Sequence, residues 1–415
     1  MDSNSKTIDV LVIGGGPAGM MAAGVAGQRG KNVLVLEKND SLGEKLKITG
    51  GGRCNITNAE YDIRAFIKNY GKSAEFLYSP FAKFGVANTF EFFESRGLPL
   101  VVQARNRAFP HTEKANDVFK LLKKNLQMNR VEVRLGCFVK RIAQRNGQIT
   151  HVETNLGNIS ARSYILATGG VSHPETGSTG DGFQWLHDVG HSVAAPTPTI
   201  VPLAVQEEWV KSLAGVSLSF MKISFFLDGK KHFHKVGKVL FTHFGLSGPL
   251  ILNSASSVGE MLLNGLVSAQ IDLFPDTDLG DLDNRLVNAF NLKKNNELKT
   301  VFRDFVPKSM AKSLESIFPD INFATKVHSI TKEQRSQIVH TLKALPLTIT
   351  GLMGNDRAVA ADGGVTLSEI DTRTMRSKLF SNLYIIGDLL HINRPSGGYS
   401  LQLCWTTGYV AGSSV

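Results

Sequence analysis

Val10-Leu11-Val12-Ile13-Gly14-Gly15-Gly16-Pro17-Ala18-Gly19 decides how this chain folds. A short apolar run bounded by glycine reads as a strand buried on both faces of a parallel sheet. Gly14 permits a sharp turn, Gly16 lets the backbone approach a pyrophosphate, and Gly19 lets the next helix, Met20 to Gln28, pack closely on the sheet. Pro17 and Ala18 stand at the positive end of that helix, where free N–H groups suit a diphosphate. Gly30 closes the helix as a left-handed cap. A second strand, Val33-Leu34-Val35-Leu36, ends in Glu37. Its carboxylate is placed to accept hydrogen bonds from ribose hydroxyls and to repel a 2′-phosphate.

Two more strands end in the same way. Tyr164-Ile165-Leu166-Ala167 runs into Thr168-Gly169-Gly170, and Leu383-Tyr384-Ile385-Ile386 runs into Gly387-Asp388. Three glycine-marked strand ends spread over the chain suit the cradle of one FAD. Between the first two lies Leu46-Lys47-Ile48-Thr49-Gly50-Gly51-Gly52-Arg53-Cys54-Asn55-Ile56-Thr57-Asn58. Such a loop exposes backbone N–H groups at Gly51 and Gly52 to phosphate or flavin, with Lys47 or Arg53 supplying positive charge. After the third strand, Gly397-Gly398-Tyr399-Ser400-Leu401-Gln402 opens a helix expected to reach Val410. Its N-terminus carries roughly half a positive charge, which at the N1–C2 edge stabilises an anionic reduced flavin. Lys38, beside Glu37, and Val139 complete the expected cofactor-binding set.

At 415 residues the chain suggests two or three domains. With 20% charged and 42% apolar residues it reads as an ordinary globular protein. Met1 to Thr7 is polar and lacks the apolar core of a signal peptide, and no run approaches a membrane span. The cysteines Cys54, Cys137 and Cys404 are scattered and form no CxxC, so a reducing cytoplasm is expected. The net charge is +10, with Lys120, Lys123 and Lys124 the densest basic group recognised, read as a solvated helix face. No nucleic-acid motif accompanies it, so neither a nucleic acid nor a membrane is expected as partner, and the oligomeric state is left open. His187 and His191 have helical metal-ligand spacing, but Gly190 ends the helix between them and no metal is expected. His232 and His234 alternate on an exposed strand, and no nucleophile–base pair for hydrolysis is evident. A second strand–GxGxxG–helix unit is missing from mid-chain, so NAD(P)H has no domain of its own and would bind transiently.

Thr49-Gly50-Gly51-Gly52-Arg53-Cys54-Asn55, placed after Gly14-Gly15-Gly16-Pro17-Ala18-Gly19, resembles a family of bacterial FAD-dependent oxidoreductases. That family includes the aminoacetone oxidases and the BaiN-like flavoproteins, within the glutathione-reductase-like superfamily. Further matches are Arg107-Ala108-Phe109-Pro110, Thr176-Gly177-Ser178-Thr179-Gly180-Asp181-Gly182, Leu240 to Pro249, Gly363-Gly364-Val365, Thr374 to Lys378 and Gly397-Gly398-Tyr399. The resemblance implies an α/β fold: a discontinuous Rossmann-like FAD-binding domain with an inserted β-barrel-like domain and a small helical subdomain. The expected boundaries are 1–198 and 355–415 for the FAD domain, 199–276 with 346–354 for the β-rich insert, and 277–345 for the helices. The residues agree in outline. Thr199–Val205, Leu218–Leu227, Lys238–Thr242 and Leu266–Phe274 read as strands, Asp278–Leu345 as helical, and Pro346–Thr350 as strand again.

The resemblance also implies that Asp388 bonds a ribityl hydroxyl. One stretch departs from the family: Leu390-His391-Ile392-Asn393-Arg394-Pro395 replaces an acidic, small-residue segment. His391 is thereby a candidate proton donor or base, Arg394 a candidate carboxylate holder, and Tyr399 a third catalytic candidate. The expected function is FAD-dependent oxidation or reduction of a small molecule by hydride transfer at flavin N5, with oxygen or NAD(P)H as second partner. NAD(P)H-dependent reduction of an unsaturated small molecule is the alternative, and modification of transfer RNA a more distant one.

Overall fold

The structure is a computed structural model that describes residues 7–354 and 360–415. Residues 1–6 of the polar N-terminus and 355–359, where the second FAD-domain segment is expected to begin, lie outside the described residues. The chain forms two compact units, one running to Pro198 and resuming at Ala358, the other spanning Thr199–Arg357.

In the first unit, five strands form a sheet in the order Leu383–Ile385, Ser163–Leu166, Val10–Ile13, Val33–Leu36, Glu132–Arg134. Every neighbouring pair is parallel. The three glycine-marked strands are therefore adjacent, and their carboxyl ends share one edge. Val10, Leu11, Val12 and Ile13 are each 4% exposed or less, as expected of a strand covered on both faces.

The first helix is Pro17–Gln28, three residues longer at its start than the apolar pattern suggests, because Pro17 takes the first helical position. Against it lies the C-terminal helix, Tyr399–Ser414, which continues four residues beyond the expected end at Val410. Small residues bring the two together. A Cβ on Gly408 would lie 2.6 Å from the Ala18 carbonyl oxygen, and one on Gly412 would lie 2.4 Å from that of Ala22. Polar groups buried on the C-terminal helix are satisfied: Thr407 Oγ1 donates to Leu403 O and accepts from Gly387 N.

The second unit is a closed six-stranded barrel with helices. Around it run Leu203–Val205, Gly245–Ser247, Lys230–Thr242, Ser217–Leu227, Val267–Asp272 and Leu345–Leu352. Two strand boundaries differ from expectation. The strand read as Lys238–Thr242 begins at Lys230, because its polar first half pairs with Ser217–Leu227 through a tight Asp228-Gly229 turn. Both turn residues have positive φ (48° and 77°), the geometry such hairpins require. The stretch read as Thr199–Val205 is strand in the barrel only over Leu203–Val205; Thr199 ends a separate strand, Val193–Thr199. The helices Leu279–Leu292 and Lys332–Lys343 start at Asp278 and Thr331, whose side chains accept N–H bonds from Asp281 and Gln334.

Gly19→Ala tests the close packing at the first turn. Its Cβ would sit 1.9 Å from the Gly14 carbonyl oxygen, a backbone atom that cannot swing aside. The variant is expected to lose about 2–3 kcal/mol, read as a lowered melting midpoint of the FAD-free protein.

Candidate cofactor site

The shared strand edge is built from backbone that side chains would obstruct. Gly14 has φ +106°, and a Cβ there would lie 2.5 Å from the Ala167 carbonyl oxygen. Gly15 N–H donates to Glu37 Oε2 at 2.8 Å and Asn39 N–H to Glu37 Oε1 at 2.9 Å, so the buried carboxylate ties this turn to the end of the second strand. Ala18 and Gly19 lie in the first helical turn, whose N–H groups have no acceptor within their own helix. A Cβ on Gly16, Gly51 or Gly52 would meet nothing within 4 Å, leaving those stretches open to a ligand. Thr168 Oγ1 and Ser172 Oγ, flanking Gly169 and Gly170, are buried with no partner among the described residues. An open glycine backbone, a helix N-terminus and orphaned hydroxyls on one strand edge fit a dinucleotide such as FAD.

Bonds between distant segments close the edge. With its amide oxygen toward Gly398 N–H (3.0 Å), Asn55 also donates to the carbonyls of Thr57 and Ala108. Thr57 Oγ1 donates to Gln402 Oε1, and Trp405 Nε1 donates to Ile56 O. Gly398 takes φ +104° and has no room for a side chain, since a Cβ would lie 2.2 Å from the Thr57 carbonyl carbon. The triple-glycine loop and the start of the C-terminal helix are thus bolted together. A Cβ on Gly170 would lie 3.6 Å from Asp388 Cβ, which brings the second and third strand ends together as well.

The charge at this edge is concentrated on Asp388. Arg394 Nη2 donates to its Oδ1, and Lys45 Nζ lies 3.5 Å from its Oδ2. Burial acts to raise the Asp388 carboxyl, but Arg394 and then Lys45 outweigh it and hold the group below the usual aspartate range. Arg394 is itself 4% exposed. Its Nη1 donates to Ile392 O at 2.6 Å and its Nε to Ser400 Oγ at 3.2 Å. The expectation that Arg394 holds a substrate carboxylate is corrected: its guanidinium is engaged by Asp388 and by the first turn of the C-terminal helix. Nothing in the sequence singles out Lys45. Only the packing of the short helix Glu44–Ile48 brings it to Asp388.

The other candidates make contacts of their own. His391 is exposed, its Nε2 3.9 Å from Asp362 Oδ1, and its backbone N–H donates to Val365 O. The Tyr399 ring packs on Phe66 and Tyr70, with centroids at 4.8 and 5.9 Å, and its carbonyl accepts from Tyr70 Oη. It works there as a packing residue. Three cations expected at the cofactor have protein partners instead. Lys47 bonds Glu44 and Ser41, Lys38 bonds Asp181 and Thr179, and Arg53 bonds Glu113 and Gln103 while lying 4.4 Å over the Phe109 ring. Each finds a partner that the fold places beside it, Glu113 and Asp181 being far off in sequence. Cys54 is fully buried and burial pushes its thiol far up; Cys404 is pushed up to about 12. Val139 begins a separate antiparallel sheet, which Cys137 N–H ties to Glu37 O at 3.0 Å.

A buried Ser–His–Glu group that spacing does not reveal is also present. His191 Nδ1 lies 2.6 Å from Glu369 Oε2 and its Nε2 lies 3.0 Å from Ser377 Oγ. Ser377 Oγ accepts from the N–H groups of Leu379 and Phe380, so its proton points to His191 Nε2 and the ring proton to Glu369. The order of bonds is that of a hydrolytic triad, yet Ser377 is 2% and His191 3% exposed. No substrate reaches the oxygen. The group clamps three chain segments that sequence spacing could not connect.

A parallel sheet whose open glycine edge fits a dinucleotide marks the chain as an FAD-dependent oxidoreductase. It belongs to the family described as the HI0933-like protein Rossmann domain, which matches residues 8–414. It is 27% identical over 408 residues to the 3-dehydro-bile acid delta(4,6)-reductase of Clostridium scindens, covering 97% of each chain. It is 26% identical over 411 residues to the ribosomal RNA dihydrouridine synthase of Escherichia coli, again covering 97% of each. Among solved structures, 3-ketosteroid-delta4-(5alpha)-dehydrogenase from Rhodococcus jostii RHA1 shares the fold with TM-score 0.53 at 14% identity, covering 99% of this chain and 98% of that one. A flavocytochrome c3 fumarate reductase does so with TM-score 0.55 at 18% identity, over 99% and 78%. Among the described residues, no helix is long and apolar enough to cross a membrane, and no cluster of metal-binding side chains occurs.

Asp388→Asn would leave Arg394 buried without its counter-charge and is expected to cost about 3–5 kcal/mol, measured by denaturant unfolding. The carboxyls of Asp388 and Glu369 are both depressed in the fold. Their contribution to stability is therefore complete above the ordinary carboxylate range and lost as pH falls below about 4. Unfolding midpoints measured across that range should fall less steeply for Asp388→Asn than for the parent protein. Ser377→Ala is expected to lower stability by about 1–3 kcal/mol, and neither protein should release nitrophenol from an activated ester.

Proposed function

We propose that the protein reduces a carbon–carbon double bond conjugated to a carbonyl. What carries this reading is a chemistry common to the names of two relatives aligned over nearly their whole length. A 3-dehydro-bile acid with 4,6 unsaturation and the uracil ring of uridine both present such a bond. FAD, when bound, supplies a hydride at N5, which the electron-poor β-carbon accepts while the α-carbon takes a proton. That balance needs a two-electron reductant, and a nicotinamide nucleotide fits it.

The roles follow from the chain's own residues. The open backbone at Gly16, Gly51 and Gly52, with Ala18, Gly19, Thr168, Gly169 and Gly170, would hold the dinucleotide. Glu37 orders the first turn. Asp388, kept ionised by Arg394 and Lys45, would face the ribityl chain, and the start of the C-terminal helix at Gly398, Ser400 and Leu401 would stabilise negative charge on the reduced ring. Lys45 and Arg394 offset Asp388, and the helix N-terminus adds partial positive charge beside them, which suits a reaction that builds up negative charge. His391, the exposed titratable group among the three catalytic candidates, is assigned the proton transfer. A free small molecule is the first reading of the substrate. A uracil within RNA is the second, favoured by two relatives with that name and nearly full alignment.

Anaerobic reduction of the FAD-loaded protein separates these readings from an amine oxidase. NADH or NADPH should bleach the flavin, and a 3-oxo-4-ene steroid or a uridine-containing RNA should restore its colour. Bleaching by a small amine alone would overturn the reductase reading. His391→Gln should slow the recolouring step about 100-fold while leaving bleaching by the nicotinamide unchanged. Gly16→Ala, whose Cβ meets no protein atom within 4 Å, should weaken FAD binding without lowering the melting midpoint of the FAD-free protein.

A further inference from the structure

We propose that the long hairpin of the barrel, Ser217–Leu227 with Lys230–Thr242, is a docking surface for RNA. Lys230, Lys231, His232, His234 and Lys238 are all exposed on its second strand. Lys222 stands on the first, partly exposed. None of the four lysines pairs with a described carboxylate, whereas Lys38, Lys47 and Arg53 in the first unit all have acidic partners. The single acid between Ser217 and Thr242, Asp228, caps the neighbouring loop by accepting from Leu266 N–H at 2.9 Å. Asp272, opposite Lys222 in register, is bonded to Lys343 at 2.8 Å. This surface is more strongly basic than the helix Ala115–Met128, where Lys120 lies 3.8 Å from Asp117.

Lysines can guard an open sheet edge against pairing, and the first half of Lys230–Thr242 is such an edge. That does not account for Lys222, whose strand is paired on both sides. Nor does it account for Phe220. The register jumps from Leu218 opposite Val239 to Met221 opposite Gly237, so Ser219 and Phe220 both face Lys238 in a bulge. Phe220 takes φ +58° there and is 71% exposed. An exposed aromatic residue opposite Lys238 and two residues from Lys222 is a stacking platform beside a phosphate track. Repeated phosphates and unstacked bases are what RNA offers to both. The inference extends the second reading of the substrate. Because binding is measured without turnover, its failure would leave the reductase reading standing.

The test uses full-length FAD-loaded protein and the fluorescence anisotropy of a labelled single-stranded RNA between about 50 and 200 mM salt. The parent protein should bind, with affinity falling steeply as salt rises. In K222Q/K230Q/K231Q/K238Q the affinity should drop at least about tenfold, and the log–log salt slope should flatten by about 3, at ~0.7 for each phosphate left without its lysine. F220A should weaken binding about tenfold with little change in slope. K120Q/K123Q/K124Q should change neither. Flavin content and melting midpoint confirm that each variant is folded. The proposal is overturned if the parent protein does not bind RNA, or if the helix variant loses as much as the hairpin variant. It is equally overturned if the protein binds anionic phosphatidylglycerol vesicles instead, through the exposed Leu263 and Leu266.

Discussion

No side chain fits between the first turn, the first helix and the neighbouring strand end. A Cβ on Gly14 would strike Ala167 O and one on Gly19 would strike Gly14 O, at 2.5 and 1.9 Å. This exclusion lets three parallel strands end flush and leaves the first-turn N–H groups of the helix facing outward. Glycines on the C-terminal helix extend the same close approach along Pro17–Gln28, so the last segment of the chain lies against the first. What this edge offers a dinucleotide is mostly backbone, and the side chains mostly hold that backbone in place.

Electrostatics at the edge is decided by competition. Burial alone would favour a neutral Asp388, and two cations reverse that preference. Arg394 is nearly inaccessible and would be costly there without the carboxylate, so each charge makes the other tolerable. By joining Asp388 to Ser400, Arg394 also links the third strand end to the first turn of the C-terminal helix. A stretch that departs from the family in sequence thereby becomes part of the scaffold.

His191, Glu369 and Ser377 show why bond geometry alone does not define an active site. Their hydrogen bonds run in the order hydrolysis needs, but water and substrate are excluded and both remaining lone pairs of the serine are occupied. The barrel hairpin presents the opposite case. Lys230, Lys231 and Lys238 are exposed and pair with no described carboxylate, and Lys222 lies on a strand that has no open edge to guard. Accessibility separates the structural group from the one available to a partner.

The FAD class, the three strand ends and the alternation of barrel and helices are all legible in the residues. These rest on local rules: glycine conformations, apolar runs and helix starts, all set within a few residues. Which charges meet is legible only in the folded chain. Lys45 reaches Asp388, Arg53 turns to Glu113, and Asn55 bridges to Gly398, each across a separation that spacing does not encode. Folding also makes Lys230 to Gly237 a strand, because that polar half is held by its partner strand and carries no apolar pattern of its own. Backbone preferences are written locally, whereas the pairing of charges follows the path of the whole chain.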